Sequence, residues 1–230
     1  MAADERQDKE AEAPGGDPLT QMKTWLRERR IYSPRHLQRC GGTQMEGKDE
    51  RMSILALAGR RIDAPGADPR RFPLSNVPVV RKRMAELFVT ENATAVVCSA
   101  ACGADLIALE AARELGLRQR VVLPFVPERF RETSVVDRPG DWGEIYDRVI
   151  AGVEAKGDLV VLPPMTGDAN DAYQAANEAI IREAEKLTGP GERLAVIVWE
   201  GTSRSGSDAT EVFRTLTEAA GFSQRFILTV

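Results

Sequence analysis

Histidine is almost missing from this chain. His36 is the only one in 230 residues, and it lies well before the first apolar, strand-like run. There is no histidine pair for a metal and no imidazole base near a core, so His-based catalysis and His-rich metal sites are set aside. Cysteine is scarce and odd in number: Cys40, Cys98 and Cys102. That set suits a reducing cytoplasm better than a disulfide framework. Cys98 and Cys102 stand four apart without further ligands, so no metal site is expected. No apolar run approaches the roughly 18 residues that span a bilayer. The first residues, "MAADERQDKEAEAPGGDP", have neither the basic start nor the apolar stretch of a secretory signal. The expectation is a cytoplasmic protein with no membrane partner. A net charge of -4 leaves no electrostatic footprint for nucleic acid. Walker A, the three-glycine dinucleotide fingerprint and G-x-S-x-G are all absent, and no cofactor is expected.

What remains is an ordinary globular composition, 43% hydrophobic and 29% charged, in a chain long enough for one α/β domain. Residues 1–18 hold no large apolar residue after Met1 and read as a disordered tail. Residues 19–50 read as an extension: Leu19, Met22, Trp25 and Leu26 have helical spacing, and "CGGTQMEGKDER" is a linker. The globular domain is expected over 51–230. There, six apolar runs ("MSILALA", "ATAVVCS", "RVVLPF", "GDLVVLPP", "ERLAVIVWE", "RFILTV") alternate with helical patterns. The segment "PERFRETSVVDRPG" reads as a loop with at most one helical turn. The strand runs are continuously apolar rather than alternating, which is the pattern of parallel strands covered on both faces. The expectation is a doubly wound, mostly parallel Rossmann-like sheet of about six strands with helices on both faces. Such sheets take ligands at the carboxyl ends of their strands, near the switch in strand order.

The segments that follow the strands should gather there, residues 163–165 included, and five candidates stand out. In "VVCSAACGADLIALEAARELG" the small residues Ser99, Gly103 and Ala104 leave helix-start N–H groups open to an anion, and Asp105 caps the helix or takes a sugar hydroxyl. A packing role for the same small residues is the alternative. In "WEGTSRSGSDATEV" a second helix start combines Gly201, Gly206, Ser207, Asp208 and Thr210, with Glu211 in its first turn. Gly59, Arg60, Arg61 and Asp63 follow the first strand; either arginine there suits a phosphate, or a salt bridge to Asp63 or Asp105. Arg70 and Arg71 read as loop-surface charges. Phe130 is placed to stack on a base and Ser134 to reach a phosphate, while Trp142 reads as core. Tyr173 and Asn177 share one helix face, for a ligand or an interhelical bond. Cys102 near a helix start reads as a small structural residue, with thiolate character as the other option.

Taken together, "LALAGRRIDAPG", "RRFP", "VVCSAACGADLIALEAARELG", "VVLPFVPERFRETSV" and "AYQAAN" resemble the SLOG superfamily of Rossmann-like domains. That group includes the Lonely-guy phosphoribohydrolases, the Smf/DprA-type recombination mediators and nucleotide-sensing domains of bacterial conflict systems. The resemblance covers about residues 52–230. It implies a nucleotide or nucleotide-derived ligand, and it carries over to Arg60, Asp63, Gly103, Asp105, Glu110, Phe130 and Ser134, more loosely to Tyr173 and Asn177. Arg60 replaces the histidine of the closest subgroup, and Cys102-Gly103 replaces a glycine pair. The hydrolases of the group carry PGGxGTxxE; the matching place here is "RSGSDATEV", which keeps Gly206 and Glu211 but not the glycine-rich turn. The resemblance thus implies a sensor or regulatory domain. One alternative is an N-glycosidase releasing the base of a nucleoside monophosphate, with Glu211 and either Asp105 or Glu110 as working carboxylates. Another is a non-catalytic interaction module that uses the Trp25 helix. It also implies a homodimer through helices flanking the crevice, and the acidic chain disfavours a DNA role.

Overall fold

The computed structural model describes residues 52–164, 168–189, 192–204 and 208–230. The chain divides into two units, Met1–Gly47 and Lys48–Val230. The expected tail, the Trp25 helix and the linker lie outside the described residues, as do Cys40, Gly206 and Ser207.

Six strands form: β1 (Ser53–Gly59), β2 (Ala93–Cys98), β3 (Arg118–Leu123), β4 (Leu159–Val161), β5 (Glu192–Trp199) and β6 (Ser223–Leu228). Every pairing is parallel and the order is β4-β3-β2-β1-β5-β6. Leu55 sits between Val96 and Leu194, fully buried, as an apolar run covered on both faces requires. The order reverses at β1, so the switch point lies between β1 and β5.

The helices are α1 (Val77–Thr90), α2 (Ala104–Leu115), α3 (Pro127–Ser134), α4 (Trp142–Glu154), α5 (Ala169–Thr188) and α6 (Ala209–Ala219). Strand alternation divides the core. Ile54, Ala56, Ala95, Val97, Ala195, Ile197 and Trp199 pack with α5 (Ile180, Ala184) and with Phe213 of α6. Leu55, Leu57, Val96, Val121, Leu194 and Val196 face the other way, and α1, α2 and α4 cover them. The two halves of the chain therefore place their helices on opposite faces, as right-handed crossovers demand. Local signals agree with the elements. Asp168 and Asp171 form a capping box on α5, and Gly116 ends α2 in the left-handed region, φ 73°. The expected loop at 127–134 is instead a two-turn helix, because Pro127 stands at its start and Glu128 in its first turn. Among the described residues no helix is long and apolar enough to cross a membrane.

The two sheet edges differ. β4 has only three residues. β6 has six, with Phe226 half exposed at 51%. On the open side of β6, Leu228 O accepts a bond from Arg83 Nη1 at 2.7 Å and Gln224 O one from Arg225 Nη1 at 3.1 Å.

Candidate anion-binding crevice

β1 ends in Gly59 and Arg60. A Cβ on Gly59 would lie 2.6 Å from the Ala104 and Val198 Cβ atoms, so this glycine lets α2 and β5 close on β1 rather than admitting a ligand. Arg60 is 2% exposed. Its Nε donates to Glu200 Oε2 at 2.6 Å, and Nη2 donates to Thr202 O at 2.8 Å and Asp208 Oδ2 at 2.9 Å. Nη1 also bonds Asp208, and Arg71 pairs with Glu200. This corrects two expectations. Arg60 is no open phosphate ligand and does not pair with Asp63 or Asp105, and Arg71 belongs to the cluster. Asp63 is a loop clamp: its carboxylate accepts the Arg71 and Phe72 N–H groups and its own N–H bonds Phe72 O. That clamp closes the neck of a loop around a cavity of about 670 Å³, lined by Ala64, Asp68, Arg70 and Leu74 among others.

Asp208 caps α6, accepting from the Thr210 and Glu211 N–H groups, and from Arg204 N at 2.8 Å. Burial alone would raise its pKa; the Arg60 bond, followed by these N–H groups, outweighs burial and holds it at about 2. The second expected anion site is thus filled by the protein's own carboxylate. Arg204 completes the cluster differently. It has no carboxylate partner among the described residues. Desolvation and then repulsion from Arg60 push its pKa down, against the pull of Asp208, although the residue is exposed. The cluster holds three guanidinium groups and two carboxylates.

The start of α2 is also closed. The Ala104 N–H donates to Arg60 O at 3.1 Å, Cys102 N–H to Ser134 O at 3.0 Å, and Ala101 N–H to Asp105 Oδ2 at 3.1 Å. Gly103, with φ 101°, forms a bridge to Arg61; a Cβ there would lie 2.7 Å from Arg60 O. Ser99 Oγ donates to Val122 O at 2.6 Å. The packing role expected as the alternative is the one observed. Asp105 is only 7% exposed. Burial drives its pKa to about 7, with the Ala101 N–H and Arg61 resisting. Burial raises the Cys102 thiol too, so the thiolate option falls away.

Arg61 turns away from its neighbour. It pairs with Asp137, and Arg138 Nε lies 3.5 Å from the other oxygen of the same carboxylate. Among the described residues, the Nε atoms of Arg61 and Arg138 are the buried side-chain donors left without a hydrogen-bond partner. Each such orphan costs about 1–3 kcal/mol.

The other expected residues divide. Ser134 Oγ and Tyr173 Oη share a bond of 2.8 Å, and Asn177 donates to Ala209 O at 2.8 Å, the interhelical option. Phe130 is fully buried and stacks on Tyr146, which removes it as a base platform; the half-buried aromatics nearby are Phe125 and Tyr173, in edge contact. Glu110 pairs with Arg113 and with Arg148 of α4. It lies about 10 Å along α2 from Gly103, off the crevice. Glu211 is held by Arg214 at 2.8 Å, Thr210 is buried, and Gly201 sits in the exposed turn after β5. Trp142 is core, as expected. Among the described residues no acidic, cysteine or histidine cluster fits a metal. Glu200 was missed, though it follows β5 as Arg60 follows β1, and adjacency at the switch point places them together. Arg204, Asp137 and Arg138 carry no such signal. No known protein family and no curated protein matches this chain.

Proposed function

We propose that the carboxyl-edge crevice binds a nucleotide or nucleotide-derived ligand and that this domain is a cytoplasmic sensor or regulatory module. One observation carries the reading: Arg204, exposed in the loop after β5 and repelled by Arg60, stands at the switch point without a carboxylate of its own. A phosphate there relieves the repulsion and meets the guanidinium fork. The resemblance to SLOG domains supplies the nucleotide, and with it pairing of two copies through the flanking helices. A sensing role fits the carboxylates, since Glu200, Asp208 and Glu211 are all held by arginines. The test is a thermal-shift panel of nucleotides with product analysis on each hit. A nucleotide at about 100 Kd adds roughly 2.7 kcal/mol of stability, and Arg204→Glu removes the shift. Loss of the reading follows if no nucleotide shifts the melting temperature, or if the shift survives that substitution.

A second reading has its own support. A buried carboxyl with a pKa of about 7 is suited to protonate a departing base, so Asp105 favours an N-glycosidase acting on a nucleoside monophosphate. Base release that disappears in Asp105→Asn would select it over the sensor.

A further inference from the structure

Arg60 and Arg61 are neighbours in sequence but enter two separate cationic clusters. Arg60 joins Glu200 and Asp208 on the β5 side, where Arg204 is the excess charge. Arg61 joins Asp137 and Arg138 beside the α2 start, which follows β2. In the second cluster two guanidinium groups share one carboxylate, and the Nε of each is buried without a hydrogen bond, that of Arg138 lying 3.5 Å from Asp137 Oδ2. Their side chains are 27% and 28% exposed, so solvent and solute reach the cluster. Asp105, which lies in the field of Arg61, titrates at about 7 and does not fully balance the excess.

We infer that Arg61 and Arg138 form a second anion seat, and that the crevice takes a ligand with two separated anionic groups, one at Arg204 and one at Arg61/Arg138. β5 and β2 flank β1, so the seats lie two strand spacings apart, on the order of 10 Å. A phosphate or phosphonate oxygen entering beside Asp137 meets the exposed parts of both guanidinium groups, which one carboxylate alone does not neutralise. A single inorganic phosphate fills one seat only; a bisphosphate with well-separated groups fills both. The Arg204 seat rests on the proposed function, whereas the Arg61/Arg138 seat stands on its own observation.

The experiment measures the affinity of the full chain for alkylene bisphosphonates of increasing length, with methylphosphonate as the single-anion control, by calorimetry. A nucleoside bisphosphate and a sugar bisphosphate are run beside them to separate the two natural sources. Affinity should peak at a separation near about 10 Å. Arg138→Gln and Arg204→Gln should each weaken the best binder about tenfold and flatten the length dependence. Asp137→Asn removes the competing carboxylate and should tighten binding, a gain that a variant with a damaged fold cannot produce. Affinity independent of length, or indifferent to Arg138→Gln and Asp137→Asn, overturns the inference. If mononucleotides bind through Arg204 without any length optimum, the second seat fails and the proposed function stands. If bisphosphonates bind with that optimum while no nucleotide binds, the reverse holds.

Discussion

The two rims of the sheet carry clusters of the same formal make-up. On the amino rim, Arg118, Arg120 and Lys186 meet Asp158 and Glu183. On the carboxyl rim, Arg60, Arg71 and Arg204 meet Glu200 and Asp208. Each of these two clusters has three cations and two carboxylates among the described residues, yet every cation of the amino-rim cluster touches a carboxylate and Arg204 does not. Closure, not charge count, distinguishes them. A closed network contributes to stability; on the proposed function, the open one keeps a place for a solute anion.

The largest break in this comparison is Arg60→Met. It leaves Asp208 buried without its cation and Glu200 with Arg71 alone, and urea denaturation should show a loss of about 3–5 kcal/mol. The next is pH. Asp105 has a folded pKa of about 7 against an ordinary 3.8, so the folded state holds the extra proton. Stability should fall as pH rises between these values and level off above them, and Asp105→Asn should remove that slope. Asp208 gives the opposite sign, since its folded value of about 2 lies below the ordinary one. Its contribution is present above pH 3.8 and is lost on acidification toward pH 2, which acid titration followed by circular dichroism can track. Asp158→Asn opens the amino rim and should cost about 2 kcal/mol while leaving ligand binding unchanged. The smallest effect on stability belongs to Arg204→Gln, within about 0.5 kcal/mol, although it should weaken anion binding about tenfold.

Much of the architecture is readable from residue order alone. Continuous apolar runs such as "SILALAG" and "LAVIVW" can be buried only between two helical layers, and that fixes a parallel sheet. α3 was hidden because "PERFRETS" has two buried residues, Phe130 and Ser134, too few to set a periodicity. The site was read less well, for a definite reason. Small residues around Gly103 look alike whether a ligand or another strand approaches, and here the Arg60–Ile62 backbone is what approaches. Phe130 and Phe125 are likewise equivalent by type; only the turn of α3 sends one into the core against Tyr146. Pairings such as Arg60 with Asp208, 148 residues apart, exist only once the sheet is assembled.

The arginines on β6 have a consequence for life in a crowded cell. An open, apolar edge strand is a template on which a second chain can add its own backbone, and growth from such an edge leads toward fibres. Arg83 and Arg225 occupy the Leu228 and Gln224 carbonyls that an incoming strand would need. Arg225, paired with Glu91, also stands next to exposed Phe226 in the strand. The sheet therefore ends by chemistry as well as by length, which disfavours copies of the protein zipping edge to edge.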